Sequence, residues 1–192
     1  MKSMHYLAAF VLLFTGTAAM ANMLDVNLNN NTAQFQFSTA NGVEAQGNAD
    51  LHAGLLYNNR HSVLVNGGIM VANTLEGAPG VSIGVGMELL AATIKDNPPV
   101  RSDASAAALD ALVRFSPAGA PQLGFSGEVH YAPNILTFGD AVRYTQGIVR
   151  VDYELAPQTM VYAGYRRISF GIKNGPAAVL DNGLHIGFKL AF

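Results

Sequence analysis

Leu184-His185-Ile186-Gly187-Phe188-Lys189-Leu190-Ala191-Phe192 decides the fold of this chain. Leu184, Ile186, Phe188, Leu190 and Phe192 take every second position, opposite His185, Gly187, Lys189 and Ala191. Side chains alternate between the faces of a strand, so this spacing predicts one apolar face and one polar or small face. The pattern recurs upstream. Val43, Ala45, Gly47, Ala49, Leu51, Ala53, Leu55 and Tyr57 oppose Glu44, Gln46, Asn48, Asp50 and His52. Val81, Ile83, Val85, Met87, Leu89 and Ala91 oppose Ser82, Gly84, Gly86 and Glu88. Leu123, Phe125, Val129 and Tyr131 oppose Gly124, Ser126, Glu128 and His130. Eight segments are expected to span: 43–57, 62–73, 80–94, 104–116, 122–132, 141–155, 159–170 and 183–192. Each reaches the roughly 9–11 residues a tilted transmembrane strand needs. Turn formers such as Asn58-Asn59-Arg60-His61, Asp96-Asn97-Pro98-Pro99 and Ser116-Pro117-Ala118-Gly119 separate them.

Which face is wet follows from composition. Charged residues make up 12% of the 192, with 20 glycines and neither cysteine nor tryptophan. A soluble chain carries about 25% charge. A soluble sandwich or lipocalin-like barrel would bury the apolar faces and expose polar ones rich in Lys and Glu. A transmembrane barrel turns the apolar faces to lipid and fills its lumen with small and polar residues. The shortage of charge favours the second. The alternating run that stops on Phe192 also resembles the C-terminal signature of outer-membrane barrels, which makes Phe188, Leu190 and Phe192 the candidate assembly signal. Before residue 43, Leu24, Val26 and Leu28, then Ala33, Phe35 and Phe37, alternate on either side of Asn29-Asn30-Asn31. The expected fold is therefore all-β: an antiparallel up-and-down transmembrane β-barrel of eight strands plus an N-terminal hairpin, or of ten strands.

Residues 1–21 read as a secretory signal peptide. Lys2 supplies the positive region, 7–14 the apolar region, and Ala19-Met20-Ala21 the small-x-small site, with cleavage expected after Ala21. The apolar stretch is shorter than the roughly 20 residues of a membrane-spanning helix. Residues 22–192 then form a single barrel domain. Without cysteine there is no disulfide framework or thiolate site. A net charge of −2 with no basic cluster beyond Arg166-Arg167 excludes a nucleic-acid binder.

Parity assigns Glu88, Asp110, Arg114, Glu128, Arg150, Asp152, Glu154, Arg166 and Lys189 to the lumen, along with Glu44 and Asp50. The interior of so small a barrel is just wide enough to be filled by side chains. Buried charges must be paired or hydrogen-bonded, so a mixed-sign network that closes the lumen is expected. Ser126, Glu128 and His130 share one face, but same-face neighbours stand about 6.5–7 Å apart. A nucleophile and base need about 2.6–3.2 Å, so lumen filling is preferred to a catalytic set. His52, His130 and His185 lack metal-ligand spacing, and no metal or other cofactor is expected.

Gly127-Glu128-Val129-His130-Tyr131-Ala132-Pro133-Asn134-Ile135-Leu136 with Phe138-Gly139-Asp140 resembles the YfaZ family of predicted outer-membrane proteins. Tyr144, Arg150-Val151-Asp152-Tyr153 and Val161-Tyr162-Ala163-Gly164-Tyr165-Arg166-Arg167-Ile168 extend the resemblance, which is carried by residues 123–192. The resemblance implies a Gram-negative outer-membrane barrel and transfers no catalytic residue. The expected role is a structural or narrow porin-like barrel. Its expected partners are the lipid bilayer, lipopolysaccharide and the outer-membrane barrel assembly machinery. The alternatives are a lipid or lipopolysaccharide hydrolase using His130 or His52, and a surface protein binding through loops 58–61, 95–103, 132–140 and 171–182.

If the terminal aromatic directs assembly, Phe192→Ala should lower the amount of folded barrel in the outer membrane, whereas Ala191→Ser on the other face should not. Equal folded yields at matched expression would remove the signal from Phe192.

Overall fold

The computed structural model describes residues 21–41, 48–96 and 100–192. The cleavage motif up to Met20, together with Glu44, Gln46 and the Asn97-Pro98-Pro99 turn, lies outside the described residues. The described strands are β1 (Ala21–Leu28), β2 (Thr32–Asn41), β3 (Asn48–Asn58), β4 (Val63–Thr74), β5 (Val81–Asp96), β6 (Val100–Phe115), β7 (Leu123–Ala132), β8 (Thr137–Gly139), β9 (Ala141–Ala156), β10 (Thr159–Ile172) and β11 (Ala178–Ala191). Each long strand pairs antiparallel with its neighbours, and the circuit returns through β5–β6 and β1–β11. Short β8 continues the line of β7 along β6 after Pro133 and a one-turn 3₁₀ helix, Asn134–Leu136, interrupt it. The barrel therefore has ten staves. Of the two expected architectures, the ten-stranded one forms.

The N-terminal hairpin becomes two staves because both its edges are paired. β1 meets β2 from Ala21↔Ala40 to Leu28↔Ala33, and meets β11 from Met23↔Ala191 to Leu28↔Ile186. At the seam, Asn22 N–H donates to the Phe192 carbonyl at 3.1 Å and Phe192 N–H donates to the Asn22 carbonyl at 2.9 Å. The hairpin turn is set by Asn29, whose Oδ1 accepts from the backbone N–H of Asn31 and Thr32, each at 2.7 Å. Two expected loops are shorter than the sequence suggested. Strands β5 and β6 run to Asp96 and from Val100, and β11 begins at Ala178, so much of 95–103 and 171–182 is wall.

The outer face is apolar all the way round. Val85 is 70% exposed, Leu89 67%, Val149 58%, Leu184 80% and Ile186 67%. A water-soluble monomer does not present such a continuous apolar band, whereas a lipid-facing barrel wall requires one. Phe115 stacks on Phe125 and Phe37 meets Phe192, with ring centroids 6.3 and 6.4 Å apart, near the end that carries the termini. Tyr57, Tyr131 and Phe138 stand exposed toward the other end. These are the aromatic girdles of a membrane barrel.

The interior is divided along the barrel axis. Toward the end away from the termini, Leu56, Leu64, Leu90, Ile94, Tyr144, Ile168, Phe170 and Leu180 pack with Ala92, Ala104, Ala106 and Ala108 into an apolar core. A register shift between Ile168 and Ser169 lets the adjacent Leu180 and Asp181 both turn inward, at 2% and 3% exposure. The half nearer the termini is polar. There Tyr162 lies across Gly187, its cross-strand neighbour, and a Cβ at Gly187 would overlap the ring and crowd the Val26 carbonyl. Gly187→Val should cost about 1–3 kcal/mol of overpacking. That loss reads as a lower temperature for losing the compact form on a detergent gel. Gly183→Ala, which meets nothing within 4 Å, should leave the transition in place.

Candidate functional site

The polar half of the interior surrounds a cavity of about 80 Å³, room for a handful of waters. Cross-strand pairing dictates its wall, because an inward residue on one strand meets an inward residue on the next. Ser126 faces Arg150, Asp110 faces His130, and Arg150 faces Gly164. The inner-face positions read from period two therefore lie side by side in rows across the wall.

Charges at these positions form three groups. In the first, Arg150 Nη2 is 3.2 Å from Glu128 Oε2 and its Nη1 is 3.6 Å from Asp25 Oδ2. Lys189 Nζ is 3.5 Å from Asp152 Oδ1, and both cations stand over the Tyr162 ring at 5.2 and 5.3 Å from its centroid. The Tyr162 hydroxyl donates to Asp25 and accepts from Asn27 Nδ2 at 3.1 Å. In the second, Arg166 is 1% exposed and its Nε donates to Asp181 Oδ2 at 2.6 Å. Its Nη2 donates to Thr32 Oγ1 at 3.2 Å, Nη1 donates to Gln34, and Asn29 Nδ2 holds the other Asp181 oxygen at 2.8 Å. In the third, His130 Nδ1 is 2.7 Å from Asp110 Oδ1 and 3.7 Å from Glu88 Oε2, while its Nε2 is 3.9 Å from Glu128 Oε1. Glu88 Oε2 also lies 3.4 Å from His52 Nε2 and accepts from Asn66 Nδ2 at 3.1 Å.

Glu88, Asp110, Glu128, Arg150, Asp152, Arg166 and Lys189 thus meet partners. Arg114 lines the cavity and Glu154 is half-buried on the same face, but among the described residues neither has an ion-pair partner within 4.0 Å. Partnering differs from what position in sequence suggested. Arg150 pairs with Glu128 on the adjacent strand β7 and with Asp25 on β1, not with Asp152 or Glu154 on its own strand. Arg166 takes Asp181, which the sequence placed in a loop. Asp25, Asp181, Gln34 and Tyr162 were missed. Asp25 and Tyr162 sit at alternating positions that mark them as inward, so period two carried to the ends of β1 and β10 finds them. Ser126 does not join His130. Its hydroxyl donates to Asp152 Oδ2 at 3.3 Å.

A closed antiparallel barrel with an apolar outer belt, aromatic girdles and charged side chains turned inward is a small β-barrel of the outer-membrane type. The profile described as YfaZ precursor matches residues 1–192, and the chain belongs to the YfaZ family. Among solved structures it is similar to the outer membrane channel DcaP of Acinetobacter baumannii at 10% identity and TM-score 0.45, covering 88% of this chain and 54% of that one. This chain spans about half the length of that DcaP chain. It is also similar to the KdgM porin, at 9% identity and TM-score 0.45 over 90% of this chain and 99% of that one. The NanC porin aligns at 10% identity and TM-score 0.46 over 90% and 98%. No curated protein matches the chain.

Removing one partner of a fully buried ion pair costs about 3–5 kcal/mol, because the other charge is left without compensation. Arg166→Ala should therefore lower the temperature at which the compact gel form disappears by more than Arg150→Ala does. Arg150 has a side chain 13% exposed and lines the cavity. The reverse order would show that the second group is not what holds β10 to the hairpin.

Proposed function

We propose that the chain is a structural, sealed barrel of a Gram-negative outer membrane, built like a porin but closed to solutes. The observation that carries this reading is the apolar core of Leu56, Leu90, Ile94, Tyr144, Phe170 and Leu180 across the half of the lumen away from the termini. Ions and sugars cannot cross such a layer without losing their hydration, which no wall group there replaces. The polar half is then a vestibule that opens toward the periplasm, where an even number of strands places both termini. Solutes would have to displace both the core and the Arg166–Asp181 pair beside it.

The same reading includes the route. A leader cleaved after Ala21 leaves Asn22 first in the mature chain, and Asn22 is the residue that pairs with Phe192 at the seam. Export through the secretory pathway, then insertion by the barrel assembly machinery reading Phe188, Leu190 and Phe192, completes this proposal. Lipid and lipopolysaccharide are the partners that suit the outer belt. The hydrolase alternative has less support. His130 is 4% exposed and turned inward, while an ester in the bilayer would approach from outside.

Planar-bilayer recording tests the proposal. The wild-type barrel should give no steady conductance, and Tyr144→Ala with Phe170→Ala should give stepwise openings. Porin-sized steps from the wild type would overturn it. Labelled phospholipid incubated with the same preparation should remain intact.

A further inference from the structure

We propose that Glu88, Asp110 and His130 bind one divalent transition-metal ion of the Zn²⁺ or Mn²⁺ class at the inner end of the polar cavity. One ligand atom from each lies within 4.8 Å of those of the other two. They arrive from three successive strands, β5, β6 and β7, with Asp110 directly opposite His130. Glu88 sits between Gly68 on β4 and Ala108 on β6, two residues with little or no side chain to fill the space around its carboxylate.

The independent observation is polar dissatisfaction. Asp110 and His130 are each 4% exposed, and beyond the 2.7 Å ion-pair contact of His130 Nδ1 with Asp110 Oδ1, neither Asp110 Oδ2 nor His130 Nε2 has a hydrogen-bond partner. Buried polar atoms are rarely left so, because each costs its full desolvation. An ion about 2.0–2.2 Å from a nitrogen and two carboxylates would satisfy them together.

Donor chemistry narrows the ion. Imidazole suits Zn²⁺, Fe²⁺ or Mn²⁺ better than Ca²⁺ or Mg²⁺, which prefer all-oxygen sites. With the imidazole neutral, as a metal ligand must be, the three side chains would carry −2, which a divalent ion would cancel. Arg150 is engaged by Glu128 and Asp25 and Arg166 by Asp181, and Arg114, which lines the same cavity, makes no ion pair within 4.0 Å with Glu88 or Asp110. His52 and Asn66 hold Glu88 Oε2 from behind, as outer-shell groups do at metal sites. Glu88 and His130 line the cavity, which leaves room for the ion's remaining ligands.

The test is direct binding to the full chain without a histidine tag, refolded in detergent, stripped with chelator and titrated calorimetrically with Zn²⁺. One Zn²⁺ per chain with a micromolar or tighter Kd is expected, with no competition from Ca²⁺. Asp110→Asn and the near-isosteric Glu88→Gln should each weaken binding at least tenfold while still showing the compact gel form. His185→Gln, another buried lumen histidine, should bind like the wild type. No saturable binding would overturn the proposal and leave His130 as a proton-carrying partner of Asp110. Unchanged affinity in folded Asp110→Asn or Glu88→Gln would overturn it too, by placing the metal on other histidines such as His61. Neither outcome depends on whether the barrel conducts.

Discussion

Everything in this barrel depends on the pairing of β1 with β11. In hydrocarbon a free sheet edge leaves a row of unsatisfied N–H and C=O groups, each costing several kcal/mol. The six-residue register from Met23↔Ala191 to Leu28↔Ile186, with the Asn22–Phe192 exchange at its end, removes both edges at once. It also makes the N-terminal hairpin part of the wall, not an appendage. Once ten staves close, circumference is fixed, and with it the width of the lumen. That width brings most inward charges within reach of a partner on another strand.

A narrow lumen imposes two different solutions along one axis. Near the termini many inward positions are charged, and most of these charges meet an opposite one or the Tyr162 face. Toward the other end the same inward positions are Leu, Ala, Ile, Tyr144 and Phe170, and the interior packs like a soluble core. The strands there are apolar on both faces, with lipid outside and core inside. Tyr144 keeps its hydroxyl satisfied within that core by donating to Gln146 Oε1 at 2.8 Å, at the border with the polar half.

The alternation of Val81 to Leu89 or Leu184 to Phe192 is legible because lipid and lumen demand opposite chemistry at successive positions. Strand identity, outer face and most inward charges follow from that alone. The strand count is less legible. β1 is only 8 residues long, and nothing in Leu24, Val26 and Leu28 says that β11 waits beside them. Partners are less legible still, because Arg150–Asp25 and Arg166–Gln34 join residues that meet only when the barrel closes. The apolar core did leave a trace. In Leu89-Leu90-Ala91-Ala92 and Ala106-Ala107-Ala108-Leu109 the alternation dissolves into continuous apolar sequence, the mark of a strand buried on both faces. Period-two parity alone treats such runs as imperfect strands and overlooks what they build.

The position of Arg166 shows why the two halves need each other. It lies between Ile168, which joins the core, and Gly164, whose missing side chain leaves space for Arg150 and His185. A guanidinium 1% exposed is tolerable only if its donors are met, and Asp181, Thr32 and Gln34 meet them from β11 and β2. Those partners exist because the hairpin is inserted and because the β11 bulge turns Leu180 and Asp181 inward together. Leu180 seals the core and Asp181 holds the cation beneath it. The seam that satisfies the backbone thus also brings the pieces of the buried Arg166–Asp181 pair together, so closure of the wall and burial of that pair are one event.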